Sequence, residues 1–156
     1  MITLTLPDGA KQQFDKPLTG IAFAESISKS LAKKALALKI NGEAVDLATV
    51  IDSDCEIAVL TASDEEGVDL MRHDCAHILA EAVQELFPDT QVTIGPVIEN
   101  GFYYDFHRET PFTDADLEAI EARMHEIVDR DEPITREVWT RDQAVTFYQE
   151  NNEPFK

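Results

Sequence analysis

The sequence predicts an α+β chain in two parts, a small mixed sheet wrapped on one helix in residues 1–62 and a mixed α+β unit in residues 63–156. Three observations carry this. Short alternating or apolar runs bounded by Gly, Pro or Asn-Gly read as strands, and longer runs with apolar residues three and four apart read as helices. A charged run ending in glycine, Ser63-Asp64-Glu65-Glu66-Gly67, lies between two apolar segments and marks a boundary.

In the first part Ile2-Thr3-Leu4-Thr5-Leu6 alternates, Pro7-Asp8-Gly9 turns, and Gln12-Gln13-Phe14-Asp15 pairs back as a hairpin. Ile21 to Ile27 suits a helix. Ala35 to Ile40, then Asn41-Gly42, then Glu43 to Asp46 reads as strand, type I′ turn and return strand, and Cys55 to Thr61 closes as an apolar strand. The order β-β-α-β-β-β in so short a stretch is the β-grasp plan, a module that presents a surface for binding and offers no catalytic constellation.

In the second part a long helix runs from about Val68 to Phe87 and stops at Pro88. Gln91 to Ile94, Gly95-Pro96 and Val97-Ile98 lead into an Asn100-Gly101 hairpin turn, with Phe102 to Phe106 as the return strand. Phe102, Tyr104 and Phe106 then share a face. Thr113-Asp114-Ala115-Asp116 reads as a capping box opening a helix with Leu117, Ile120, Met124, Ile127 and Val128 on one side. Ile134 to Trp139 reads as a strand, and Thr140-Arg141-Asp142-Gln143 caps a last helix.

The chain's 156 residues, 44% of them hydrophobic, argue against disorder. No run approaches the ~18 apolar residues of a membrane helix, so no membrane partner is expected. The opening residues lack the regions of a signal peptide, and the two cysteines, Cys55 and Cys75, form no CxxC. A reduced, cytoplasmic protein is the expectation. Of the net charge of −18, residues 63–156 carry −16, with Lys156 their only lysine, whereas residues 1–62 hold six lysines and a net of −2. Such a surface repels polyanions.

The most informative feature is His73 and His77, in Arg72-His73-Asp74-Cys75-Ala76-His77-Ile78-Leu79-Ala80. On a helix the two imidazoles stand one turn apart. At about 100° per residue, His77, Ala80 and Gln84 fall within roughly 40° of His73. Met71, Cys75, Ile78, Leu79, Ala82 and Leu86 cluster on the opposite side. The histidines therefore read as a wall of a polar cleft flanked by small Ala76 and Ala80. A zinc protease would need HExxH, and here the glutamate position holds Asp74. Cys75, on the apolar face, reads as an inert thiol, and His107 and His125 as surface residues. Gly95 could let a backbone approach a ligand, and the aromatics of Phe102 to Phe106 could stack a base or pack a hairpin face.

Taken together, these segments resemble the amino-terminal part of the bacterial threonyl-tRNA synthetase family. The matching stretches are Leu6-Pro7-Asp8-Gly9, Asp64 to Gly67, Arg72 to Leu79 and, most specific, Ile94-Gly95-Pro96-Val97-Ile98-Glu99-Asn100-Gly101-Phe102-Tyr103-Tyr104-Asp105-Phe106. The resemblance implies a TGS domain at 1–62 and, at 63–156, the first part of an editing domain truncated at its C-terminal side. The family's second editing motif, CxxxH, has no match, because no cysteine follows Cys75 and no histidine follows His125. The chain thus reads as an excised piece.

Such an enzyme attaches threonine to tRNA(Thr) with ATP, and this region would hydrolyse mischarged Ser-tRNA(Thr). By resemblance His73 activates water or transfers a proton, His77 orients the substrate, and Lys156 holds the water or the oxyanion. Gly95 and Tyr104 would contact the seryl-adenosine of the tRNA 3′ end. No cofactor or metal is expected in this stretch. ATP, magnesium and zinc are implied for the aminoacylation core, and homodimerisation for other domains. The alternatives are a non-catalytic TGS-containing binding or regulatory protein, and a free-standing metal-dependent deacylase using HxxxH as two ligands.

Overall fold

In the computed structural model, residues 1–151 and 153 are described. The first part runs β1 (Ile2–Thr5), β2 (Lys11–Phe14), β3 (Leu18–Thr19), α1 (Gly20–Ile27), α2 (Lys29–Lys34), β4 (Ala35–Ile40), β5 (Glu43–Val45), β6 (Val50–Ile51) and β7 (Cys55–Thr61). The sheet order is β2-β1-β7-β4-β5, with β1 and β7 parallel and the other neighbours antiparallel. This is the α+β, β-grasp-like arrangement that the hairpin–helix–hairpin pattern predicts. Asn41 and Gly42 have φ of 49° and 90°, the left-handed pair that a type I′ turn requires between β4 and β5.

Alternation in β1 buries Ile2 and Leu4, which join Phe23, Leu38, Ile51 and Ile57 in one core. Phe23 comes from α1 and meets Phe14 of β2 edge-on, ring centroids 6.3 Å apart. The Thr19 hydroxyl caps α1 by accepting from the Ala22 N–H at 3.3 Å. The expected helix ends at Ile27, and Ser28 joins it to a second short helix that the sequence pattern does not predict. Ser28 is extended (φ −166°), its N–H ends α1 on the Ala24 carbonyl, and its hydroxyl opens α2 by accepting from the Leu31 N–H.

The second part runs α3 (Glu65–Leu86), β8 (Gln91–Val92), β9 (Val97–Ile98), β10 (Gly101–Phe102), β11 (Phe106–His107), α4 (Asp114–Asp129) and α5 (Arg141–Glu150). The chain divides into two compact units, residues 1–71 and 72–156. The charged run from 63 to 67 spans the turn into α3 and its first residues: the Asp64 carboxylate accepts from the Thr61 N–H and hydroxyl at 2.8 and 2.9 Å. Those bonds hold its carboxyl below the usual carboxylate range. No helix among the described residues is long and apolar enough to cross a membrane.

The second core is smaller, built on Ala82, Val83 and Ile120, with Leu79, Leu86, Phe87, Phe106, Phe112, Met124 and Ile127 packed around it. Both expected capping boxes form, Thr113 with Asp116 on α4 and Thr140 with Gln143 on α5.

Several elements differ from the sequence expectation. The residues from Ile134 to Trp139 form no strand. They are exposed, Ile134 by 90% and Val138 by 78%, because an alternating run needs a sheet edge to pair with and no described strand offers one. The hairpin turn falls one residue early, at Glu99-Asn100, since Ile98 pairs with Gly101. Its return strand splits into two short ladders, β10 on β9 and β11 on β8.

Replacing Phe23 by Ala is expected to cost about 3–5 kcal/mol, the usual range for emptying a fully buried aromatic site. Urea unfolding monitored on residues of the β1–β7 sheet measures it, and an unchanged midpoint would contradict the core assignment.

Candidate active site

Helix α3 positions the histidine pair. Its buried stripe is Ala76, Ala80 and Val83, spaced i, i+4, i+7, with Ala82 beside it. This corrects the expected faces: Ala76 and Ala80 are core residues, not cleft wall, and Met71 is 50% exposed. His73 and His77 lie at the margin of the buried stripe and remain exposed. Their Nε2 atoms are 3.0 Å apart and the rings stand nearly perpendicular, at 82°. One Nε2–H donates to the other Nε2, so the contact holds one proton for two nitrogens.

The pair lines a cavity of about 610 Å³ together with Asp74, Ile78 and Glu81 of α3, Ile127 and Val128 of α4, and the segment Asp131-Glu132-Pro133-Ile134. Sequence periodicity missed this second wall, because the segment after α4 has no helical or strand repeat to reveal it. Its one signal was Asp131, an acid standing just past a helix end where glycine is usual.

What sets the second wall is an ionic link between helices. Glu85 of α3 accepts from both terminal guanidinium nitrogens of Arg130, at 2.7 and 2.8 Å, and from Arg123 at 2.7 Å. Arg130 also reaches Glu81 at 3.3 Å. The hydrogen bonds from Arg130 and then Arg123 depress the Glu85 carboxyl from 4.5 to about 2.

Gly95 and Tyr104 come together, but not among the residues lining this cavity. A Cβ at Gly95 would overlap the Tyr104 ring, so glycine is required for that close approach. The Tyr104 ring stacks on Phe106 at 4.8 Å. Lys156 lies outside the described residues. Cys55 and Cys75 are free and partly buried, and burial pushes the Cys55 thiol up. His107 and His125 are exposed, as expected. Among the described residues no three His, Cys, Asp or Glu side chains converge to hold a metal ion.

Two outcomes follow from this geometry. Glu85 ionises more readily in the folded chain, so its contribution is full above the usual carboxylate range and fades as pH falls from about 4.5 towards 2. A Glu85→Gln variant should lose the stability difference between those pH values, and a side-chain NMR titration of Glu85 should give a midpoint near 2, not near 4.5. Gly95→Ala should destabilise by about 1–3 kcal/mol through overpacking against Tyr104, measured by thermal unfolding. An unchanged midpoint would contradict the contact.

Comparison with known proteins finds relatives that match the whole chain. Residues 2–61 match the TGS domain. The whole chain matches the threonine–tRNA ligases of Parvibaculum lavamentivorans (64% identical), Paramagnetospirillum magneticum (59%) and Thiobacillus denitrificans (57%), covering 24%, 25% and 24% of those proteins. The chain thus spans about a quarter of the length of the curated relatives it matches. By sequence it is similar over its whole length to threonine–tRNA ligases, opens with a TGS domain and fits an amino-terminal fragment of such an enzyme.

Proposed function

We propose that residues 63–156 are the first part of an editing domain that hydrolyses mischarged Ser-tRNA(Thr), and that residues 1–62 are its attached TGS domain. The observation that carries the reading is the His73–His77 contact of 3.0 Å on the wall of an open cavity. Serine and threonine differ by one methyl group, worth only about 1–3 kcal/mol of discrimination in a binding pocket. A synthetase that selects threonine therefore needs a second site that removes serine.

Hydrolysis of the ester needs a base for the attacking water and an acid for the departing ribose oxygen. With one Nε2–H donated to the other Nε2, one ring keeps a lone pair at Nδ1 and the other keeps an N–H at Nδ1. His73 takes a proton from the water as its oxygen bonds to the ester carbonyl carbon. The carbon–oxygen bond to the ribose breaks, and the ribose oxygen takes the proton back from His73, leaving serine, free tRNA and a neutral imidazole. His77 orients the substrate and holds His73 through their shared hydrogen bond. Lys156 stabilises the developing oxyanion, and Gly95 and Tyr104, which are not in the cavity lining, contact the part of the seryl-adenosine that extends beyond it. Aminoacylation of tRNA(Thr), with its ATP, magnesium and zinc, and homodimerisation belong in this proposal to the part of the relatives' length that the chain does not span.

His73→Ala in the complete encoded protein should lower deacylation of preformed Ser-tRNA(Thr) by about 10²–10⁴-fold, the usual weight of general acid–base catalysis. Threonylation should stay near the wild-type rate. Equal deacylation rates would remove His73 from the mechanism.

A further inference from the structure

We infer that a second cavity, between the end of α3 and the β8–β11 ladder, binds a nucleoside and holds the polar edge of its base with Thr90, Gln91 and Arg108. This cavity, of about 630 Å³, shares no lining residue with the one walled by His73 and His77. The chain builds it where α3 stops. The Thr90 N–H closes the turn after the helix on the Phe87 carbonyl at 2.9 Å. β8 then pairs with β11, Gln91 opposite His107, and the next step of that antiparallel register sets Arg108 beside Thr90. The Arg108 guanidinium stands over the Phe87 and Phe112 rings, its carbon 4.2 and 4.8 Å from their centroids. Those contacts favour its charge and occupy none of its N–H donors.

Among the described residues, three side-chain atoms are buried without a hydrogen-bond partner: Thr90 Oγ1, Gln91 Oε1 and Arg108 Nη1. All three residues line this one cavity, and Thr90 is only 3% exposed. The Asp116 carboxylate lies 3.8 Å from Nη1, too far for a hydrogen bond, and already accepts from the Thr113 N–H and hydroxyl. Buried polar atoms are nearly always paired, so orphans gathered on a single cavity point to an occupant. Their chemistry selects it. Arg108 Nη1 donates, Gln91 Oε1 accepts, and the Thr90 hydroxyl does either. An oxyanion would satisfy only the donors and would meet Asp89 and Glu109, which also line the cavity, whereas a cation would meet Arg108. The occupant is therefore neutral, with a donor beside an acceptor. Leu86, Phe87 and Pro88 add an apolar lining, which suits a flat ring with one polar edge better than a sugar or a small amide. A nucleobase is such a group. A free nucleoside and an unpaired RNA base present it alike, and neither needs a phosphate contact from residues 63–156, whose net charge is −16.

The test follows the Thr90 and Leu86 methyl NMR signals of the complete encoded protein during titration with cytidine, uridine, D-ribose and inorganic phosphate. The nucleosides should give saturable shifts at both residues, and ribose and phosphate none. Thr90→Val removes the hydroxyl at nearly constant shape, so it should unfold at or above the wild-type temperature, because wild type leaves that hydroxyl unpaired. It should weaken nucleoside binding, read at Leu86, by about tenfold. A single-stranded oligonucleotide that binds more tightly than the nucleosides assigns the site to an unpaired RNA base, and one that binds no more tightly assigns it to a free nucleoside. Shifts with phosphate but with neither nucleoside overturn the inference. So does nucleoside binding undiminished in Thr90→Val, or a lowered unfolding temperature in that variant, which would give the hydroxyl a structural partner. No shift with any probe also overturns it and leaves the cavity to water. Each of these outcomes leaves the deacylase reading standing, because that reading rests on the other cavity.

Discussion

The three hydrogen bonds that Arg130 and Arg123 donate to Glu85 fix the end of α4 against α3. The position of every residue on the far wall of the histidine cavity depends on that link. Ile127 and Val128 precede Arg130 by one turn or less, and Asp131 follows it directly. A bidentate guanidinium fork sets both distance and direction, which a single point charge would not. The apolar side of the same junction is Ala82 and Val83 packed on Ile120. Small residues on α3 let the helices approach closely, and the ion pairs at the rim stop them sliding.

This arrangement explains why the histidines are exposed without being loose. Ala76 and Ala80 bury the adjacent stripe of α3, so the helix cannot rotate to hide His73 and His77. Their mutual hydrogen bond then restricts the rings. The net charge of −16 over residues 63–156 adds a constraint on any nucleic-acid partner. Phosphates are repelled within the Debye length, about 8 Å at physiological salt, so this surface offers a nucleic-acid backbone no general attraction. For the proposed deacylase the bulk of the tRNA has to be held by other parts of the protein.

How much of this could be read from sequence depends on whether the deciding interaction is local. The β1–β2 hairpin, the Asn41-Gly42 turn and both capping boxes rest on residues within a few positions of one another, and all are present. The one-turn spacing of His73 and His77 is local too. The buried face of α3 is not: it is chosen by what packs against it, which moved Ala76 and Ala80 into the core and left Met71 exposed. The strand expected from Ile134 to Trp139 depends on a partner, and the described residues provide none. Glu85, Arg123 and Arg130 were unreadable because their pairing joins residues 38 and 45 positions apart. Asp131 enters the site only through that pairing.

The central claim is that the cavity beside His73 and His77 receives a seryl-adenosine end. Long-range proton–nitrogen NMR of the imidazoles reads it directly, in the complete encoded protein labelled with 15N-histidine and titrated with a non-hydrolysable 3′-serylamino-adenosine. The account predicts saturable shifts of the His73 and His77 ring nitrogens, with His107 and His125 unmoved. Shifts confined to His107 or His125, or none at saturating analogue, would contradict it.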